Sequence, residues 1–311
     1  MNILVTGGAG FIGGHLAARL VADGHRVVVV DNLSTGLREK VPAGARLVEA
    51  DVAEADLEPL LREEAIDAIS HHAAQIDVRH SVSDPLDDAR SNVLGSLKLL
   101  EAARRAGVRR FLFASTGGAL YGEPQGGRPS PESHPTDPVS PYGCAKLAIE
   151  KYLHYYRVVH GFDVQVLRYA NVYGPGQNGM GEAGVVAIFA EAILAGRTPK
   201  IRGDGEQTRD YVFVGDVVET AARALASGKN GTWNVGTGVE TSVNRLFELL
   251  ARSLDYTGAP EHAPFPAGEQ RRSVLDGSAA RRDFDLPPWT PFEKGIDRTA
   301  EAFRAERSAE V

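Results

Sequence analysis

Cysteine is almost absent from this sequence, Cys144 being the only one in 311 residues. One thiol can build neither an internal disulfide nor a cysteine-rich metal centre, which suits a reducing compartment, so a cytoplasmic location is expected. Long apolar runs are missing as well. None approaches the roughly 18 residues that a membrane-spanning helix needs, and Met1-Asn2-Ile3-Leu4-Val5 runs straight into a glycine turn rather than through a basic and apolar leader. A soluble, unprocessed chain with no membrane partner is expected. There is no basic run either, and a formal net charge of −7 argues against nucleic acid as the main partner. The nine histidines, His71 and His72 among them, show no paired metal-ligand spacing, so packing, capping or surface roles are expected and a metal is not. What remains is 43% hydrophobic and 24% charged, over a length that buries a substantial core as one large domain or two coupled ones.

Over the first 170 residues, apolar runs rich in β-branched residues alternate with helical patterns. That alternation marks βαβ units and a buried parallel sheet, so the expected fold class is α/β, a doubly wound Rossmann-type sheet. Strands are expected at Asn2 to Thr6, Arg26 to Asp31, Ala45 to Glu49, Ala68 to His71, Arg110 to Ala114 and Asp163 to Arg168. Helices are expected at Ile12 to Asp23, Ala55 to Glu64, Val93 to Ala106 and Tyr142 to His160, the last announced by a capping Ser140 before Pro141. Beyond Asn171 the pattern loosens into glycines and scattered prolines. Residues 1–170 are therefore expected to form a dinucleotide-binding domain, with a return around 208–238, and residues 171–311 mainly a smaller α/β substrate domain.

The first strand ends in Thr6-Gly7-Gly8-Ala9-Gly10-Phe11-Ile12-Gly13, placing Gly7, Gly10 and Gly13 where a strand turns into a helix. Glycine lets backbone approach a pyrophosphate, and the helix N-terminus points free N–H groups and a positive dipole end at it. Eighteen residues after Gly13, Asp31 ends the next apolar strand. A carboxylate there accepts from ribose hydroxyls and repels a 2′-phosphate, which predicts NAD over NADP. Asn32 and Ser34 are placed to continue that grip, and Asp51 to face the adenine. A nucleotide-free βαβ unit is the alternative.

Tyr142 and Lys146 stand four apart at the start of a helix and so share a face. A free tyrosine has a pKa of about 10, and an ammonium one turn away, together with a positive nicotinamide ring, is expected to favour the phenolate and make a base of it. The pair follows a hydroxyl cluster, Ser115-Thr116.

These features resemble the extended short-chain dehydrogenases/reductases, and within them the UDP-galactose 4-epimerase group. The resemblance runs through Thr6 to Gly13, Asp31-Asn32-Leu33-Ser34-Thr35-Gly36, Asp51-Val52, His72-Ala73-Ala74-Gln75, Asn92, Ser115 to Gly122, Tyr142 to Lys146, Arg168 to Pro175 and Gly203 to Tyr211. It implies an NAD site formed by Gly7, Gly10, Phe11, Ile12, Gly13, Asp31, Asn32, Ser34, Thr35, Gly36, Asp51, Val52, Ala73, Ala74, Gln75, Asn92, Lys146 and Tyr169. It also implies Tyr142 as general base and acid, Lys146 on the nicotinamide ribose, and a hydroxyl beside them. Counting back four from Tyr121 lands on Gly117, so the hydroxyl role falls to Thr116. Dehydratases and decarboxylases that resemble this fold carry acids directly after that position; Gly117-Gly118 favour 4-epimerisation of UDP-glucose and UDP-galactose through a 4-keto sugar instead. On the substrate side the resemblance implies Asn171, Arg209 on the diphosphate, and Ser273 beside the sugar 2-substituent, its small size suggesting that UDP-N-acetylhexosamines are accepted. The usual second phosphate arginine, two residues before Gly268-Glu269, is Pro266, which leaves Arg271 or Arg272 as the substitute. A UDP-glucuronate 4-epimerase, a dTDP-sugar reductase and a non-catalytic NAD-binding sensor are the rivals. A homodimer is implied, paired through the helix from Val93 and the helix that carries Tyr142.

Overall fold

Val27 to Val30 are at most 1% exposed, which explains why β2 reads as an unbroken apolar run: both of its faces are covered. The structure, a computed structural model, describes residues 1–179, 184–265 and 270–310. In chain order the first half comprises β1 (Asn2–Thr6), α1 (Phe11–Ala22), β2 (Arg26–Asp31), β3 (Ala45–Glu49), α2 (Glu58–Glu63), β4 (Ala68–His71), α3 (Val78–Ser83), α4 (Pro85–Ala89), α5 (Gly95–Ala106), β5 (Arg110–Thr116), α6 (Pro141–His160) and β6 (Asp163–Tyr169). A π-helical turn, Arg90–Leu94, joins α4 to α5. The second half comprises β7 (Asn171–Tyr173), α7 (Val185–Leu194), β8 (Lys200–Arg202), β9 (Thr208–Phe213), α8 (Val214–Ser227), β10 (Gly231–Val235), β11 (Glu240–Ser242), α9 (Val243–Ser253), β12 (Glu261–Ala263), β13 (Arg272–Ser273), α10 (Ser278–Asp283) and α11 (Phe292–Glu310).

Seven parallel strands form the main sheet in the order β10-β6-β5-β4-β1-β2-β3. Its order reverses between β1 and β4, the crevice where doubly wound sheets hold nucleotides. Side chains alternate between two cores. Ile3, Val5, Val29, Leu112 and Ala114 face α1 and α8, whereas Leu4, Val28, Val30, Phe111, Phe113 and Val166 face α5 and α6. Each fully buried side chain of this size contributes about 1.5–3 kcal/mol, so the two cores fix the sheet before any polar contact is counted.

A second sheet is built around β9, which pairs with β11 (antiparallel), β13 and β7 (both parallel). The chain returns to the main sheet through α8 and β10; β9, which precedes them, belongs to the second sheet. Several expected boundaries move, the helix expected from Val93 starting at Gly95 after the π-helical turn among them. The second helix is shorter than Ala55 to Glu64, because Asp51 and Asp56 hold turns ahead of it, accepting from Ala53 and Glu58 N–H. The fifth strand runs two residues further, to Thr116, because β6 continues alongside it to Tyr169.

Candidate active site

Parallel strands deliver their carboxyl ends to one edge, so the loops after Thr6, His71, Thr116 and Tyr169 converge there. Gly7 adopts φ +68°, and a Cβ on it would lie 2.6 Å from Ala73 N; a Cβ on Gly13 would lie 2.1 Å from Gly7 O, whereas Gly10 is less crowded at 3.2 Å. Two of the three glycines are thus demanded by the protein's own backbone packing. Gly10 caps α1 without any side-chain hydrogen bond, leaving a helix N-terminus whose amides and dipole suit a diphosphate. Asp31 is buried. Its carboxylate accepts from Ala9 N and Leu33 N, both at 2.9 Å, binding the glycine turn to the end of β2, with Gly36 packed against it. Asn32 donates to Asp51 at 3.1 Å and accepts from Ser34, so the loop that carries the exposed Ser34 and Thr35 closes on Asp51, next to the buried Val52. An uncapped helix end, a glycine turn and a carboxylate at the next strand end fit NAD.

Deeper in the crevice, Gln75 N donates to Asn92 Oδ1 and Asn92 Nδ2 to Gln75 O, at 3.0 and 2.9 Å. Both side-chain amides also donate to Asp88 Oδ1 at 2.9 Å. Ala73 N donates to Thr6 Oγ1, which bonds His71 Nδ1 at 2.6 Å; His71 Nε2 meets Ser96 Oγ at 2.9 Å. Because the Ser96 hydroxyl donates to Asn92 O, His71 is the donor to Ser96 and the acceptor from Thr6, a neutral ring of fixed tautomer. Burial, with Lys146 nearby, holds His71 down at about 3 and His72 at about 4. Both rings are held by protein partners: Tyr169, expected at the cofactor, bonds its hydroxyl to His72 Nε2 at 3.2 Å and stacks on that ring.

Ser140 Oγ accepts from Gly143 N at 3.2 Å, and Pro141 opens α6, so Tyr142 and Lys146 lie in its first two turns. Lys146 is 4% exposed, donates to Ala114 O at 3.0 Å, and its Nζ lies 4.8 Å from the centre of the Phe113 ring and 5.8 Å from that of Tyr142. Burial lowers it to about 8, against the pull of Asp88 and Glu150. The protein's own groups push the Tyr142 phenol up, because burial disfavours the phenolate and Asp88 adds a like charge.

Ser115 is consumed by Glu150, donating at 2.6 Å to a carboxylate that also takes the Arg168 guanidinium. Thr116, at the end of β5 in register with Tyr169, is the next hydroxyl, and its Oγ1 accepts from Ala119 N. In the turn after Thr116, Leu120 and Tyr121 N–H both reach Gly117 O. That turn abuts α6, since a Cβ on Gly143 would lie 2.6 Å from Ala119 O. A Cβ on Gly117 would strike Leu275 at 2.4 Å; one on Gly118 would lie 3.6 Å from Ser273 Oγ and 4.0 Å from Asn171 Oδ1. Gly118, two residues after Thr116, thus lies beside both Asn171 and Ser273. Ser273 is the register partner of Arg209, which brings that arginine to the same edge.

Both candidates for the second arginine are ion-paired. Arg272 is paired with Glu240, and the exposed Arg271 with Asp204, lying 4.4 Å over Phe265. Pro266, Gly268 and Glu269 lie outside the described residues. Sequence reasoning passed over Asp88 and Glu150 and read Asp210 only as part of the Arg209 motif. The first two carried a signal, each standing one helical turn from a recognised residue, Asp88 from Asn92 and Glu150 from Lys146.

The model of the NAD dependent epimerase/dehydratase family matches residues 3–236. A UDP-glucose 4-epimerase of Mycolicibacterium smegmatis is 48% identical, over 98% of this chain and 99% of its own. The crystal structure of the Thermotoga maritima UDP-glucose 4-epimerase with UDP-glucose superposes with a TM-score of 0.96 at 44% identity, covering 99% of this chain and 100% of that one. For the Thermus thermophilus UDP-glucose 4-epimerase in complex with NAD the TM-score is 0.93 at 44% identity, covering 98% and 99%.

Proposed function

Because the chain belongs to the NAD dependent epimerase/dehydratase family, we propose that it interconverts UDP-glucose and UDP-galactose by 4-epimerisation with bound NAD, a reaction of galactose metabolism. The observation that carries this is the pairing of Tyr142 and Lys146 beside a Thr116 turn whose next two residues are glycines. With no acid at 117 or 118, nothing in that turn can protonate a departing hydroxyl, and proton traffic is confined to the tyrosine.

NAD, when bound, supplies the hydride acceptor and donor for C4. Gly7, Gly10, Phe11, Ile12 and Gly13 hold its diphosphate, Asp31 to Gly36 with Asp51 and Val52 its adenosine, and Ala73, Ala74, Gln75, Asn92, Lys146 and Tyr169 its nicotinamide end. Thr116 orients the 4-hydroxyl. Tyr142 takes the hydroxyl proton and returns it, and Lys146 keeps a positive charge beside the ribose. Asn171, Ser273, Arg209 and Arg271 hold the UDP-sugar, Arg209 by a guanidinium fork on phosphate. In domain terms, residues 1–170 with the return through α8 and β10 carry the cofactor, and the rest of 171–311, β9 with Arg209 included, carries the sugar nucleotide.

The protein is a cytoplasmic homodimer in this reading. Among the described residues no helix is long and apolar enough to cross a membrane, and Cys144 is an exposed free thiol. Leu94, Tyr152, Tyr155 and Val159 leave apolar surface along the π-helical turn and α6, which suits pairing across a two-fold axis.

Incubation with UDP-glucose and no added coenzyme tests the proposal. UDP-galactose should form while NAD stays on the protein, and an unchanged substrate sinks the reaction type. Tyr142→Phe should abolish turnover with NAD retained; full activity in that variant would leave only a binding protein. The buried, small Ser273 supports acceptance of UDP-N-acetylglucosamine, which total lack of turnover with that substrate would exclude.

A further inference from the structure

Asp210 is 1% exposed, and four donors converge on its carboxylate. Thr237 N and Thr237 Oγ1 reach Oδ1 at 2.9 and 2.6 Å; Gly238 N and Leu275 N reach Oδ2 at 3.1 and 3.2 Å. Those donors come from two places. Thr237 and Gly238 follow β10, the last strand of the main sheet, whereas Leu275 lies two residues beyond Ser273 at the end of β13. The acceptor belongs to β9 and directly follows Arg209 in the chain. One carboxylate thus fastens the second sheet to the first at the point where both reach the crevice.

The fastening leads to the chemistry by a short route. A Cβ on Gly236 would lie 2.6 Å from Asp210 Oδ2 and 3.0 Å from Leu275 Cβ. The Leu275 side chain in turn fills the space over Gly117, one residue after Thr116. A parallel clamp runs beside it: Ser130 N donates to Val274 O, Asp276 N to Ser130 O, and Asn234 Nδ2 to Ser130 O at 2.9 Å. Glycines at 117 and 236 allow Leu275 to be gripped this closely, and the grip is oriented by the Asp210 hydrogen bonds.

We propose that Asp210 is a positioning residue that sets the separation between the diphosphate-holding Arg209 and the Thr116–Tyr142 chemistry, so that a sugar nucleotide anchored at its phosphates presents C4 in register. This rests on the UDP-sugar function proposed above. Asp210 touches neither substrate nor cofactor; it acts through Arg209, Ser273 and Leu275. A carboxamide at this position would keep the volume but set an NH2 against Gly238 N and Leu275 N in one orientation and against Thr237 N in the other. The anchor and the reacting centre would then shift relative to each other while each stayed intact.

The test compares purified Asp210→Asn, Thr237→Val and Arg209→Ala with wild type in three measurements: bound NAD per chain, UDP affinity by calorimetry, and kcat with saturating UDP-glucose. Misplacement near 1 Å costs on the order of a hundredfold in rate, so Asp210→Asn should lose about ten- to a hundredfold in kcat, with UDP affinity within threefold and NAD content unchanged. Arg209→Ala should show the opposite split, with UDP affinity lost first. Thr237→Val removes one donor and leaves the backbone bonds, so it should follow Asp210→Asn in direction at about three- to tenfold in kcat; it decides the question should Asp210→Asn fail to fold. An unchanged kcat, or kcat and UDP affinity falling together in these variants, overturns the inference. Failure of the wild-type protein to bind UDP would instead strike the proposed function, which separates the two.

Discussion

Removing Glu150 should cost the protein a large part of its stability. Its carboxylate is 7% exposed, the Arg168 guanidinium paired with it 9%. It accepts Ser115 Oγ at 2.6 Å and Arg168 Nε at 2.9 Å, while Arg168 also donates to Tyr121 Oη at 2.6 Å, and Tyr121 donates to Asn234 at 2.8 Å. Glu150→Ala leaves a guanidinium buried with a phenol as its main partner, and stranding one member of a buried pair costs about 3–5 kcal/mol. With a urea m-value of about 3 kcal/mol/M, the upper end for small proteins, the unfolding midpoint should fall by about 1.0–1.7 M. The double variant Glu150→Met, Arg168→Met removes both charges, and such replacements are commonly close to neutral, so its midpoint should recover most of that loss. Urea titrations followed by far-UV circular dichroism measure both. A Glu150→Ala midpoint within about 0.3 M of wild type, which is about 1 kcal/mol, would mean that water or rearrangement relieves Arg168 and that the network does not anchor α6 to β5 and β6.

Three further outcomes follow from the geometry. Gly13→Ala, with its Cβ 2.1 Å from Gly7 O, should purify without NAD, whereas Gly10→Ala, with 3.2 Å available, should keep most of it; equal NAD contents would refute the packing account. Lys146 titrates at about 8 in the folded protein against 10.5 unfolded, so between those values the unfolded chain binds more protons, and stability rises with pH by up to about 1.4 kcal/mol per unit through this residue. Lys146→Met lacks that rise, so urea midpoints of the two proteins measured from pH 7.5 to 10 should diverge in favour of wild type, and parallel curves would contradict it. His71 at about 3 and His72 at about 4, against 6.5 unfolded, take up protons first in the unfolded chain, so stability should fall as pH drops from 6.5 towards 4. The double variant His71→Gln, His72→Gln should flatten that slope, and a slope as steep as wild type would assign the acid lability elsewhere.

The main sheet was legible in the residues because its strands are covered on both faces, so that Val27 to Val30 or Phe111 to Ala114 have no polar position to blur the pattern. The second sheet was not. Its β7 and β11 have three residues each and β13 two, and β8 and β12, which pair with each other, have three each, too short for any periodicity and defined by partners far away in the chain. The π-helical turn at Arg90–Leu94 was hidden as well, since it reads like ordinary helix. In the site, Asp31 and the glycine turn were legible because strand, spacing and chemistry agree locally. The partners of Asp210 and Glu150 were not legible because Thr237, Leu275 and Arg168 lie 18 to 65 positions away. Tyr142 was legible from its spacing to Lys146, whereas the Asp88 charge near its phenol, which comes from another helix, was not.

The late return of the chain as β10 beside β6 has a consequence for how such a protein is made and remade. As the polypeptide leaves the ribosome, β6 is an open sheet margin until Val235 has emerged, a sticky rim during the synthesis of everything in between. Nor can the sugar-holding half be exchanged for a foreign one at a single crossover. A graft that keeps the seven-stranded sheet whole needs one junction after Tyr169 and two more flanking the stretch from Val214 to Val235, and any recombinant cut only once should yield a sheet missing its outermost member.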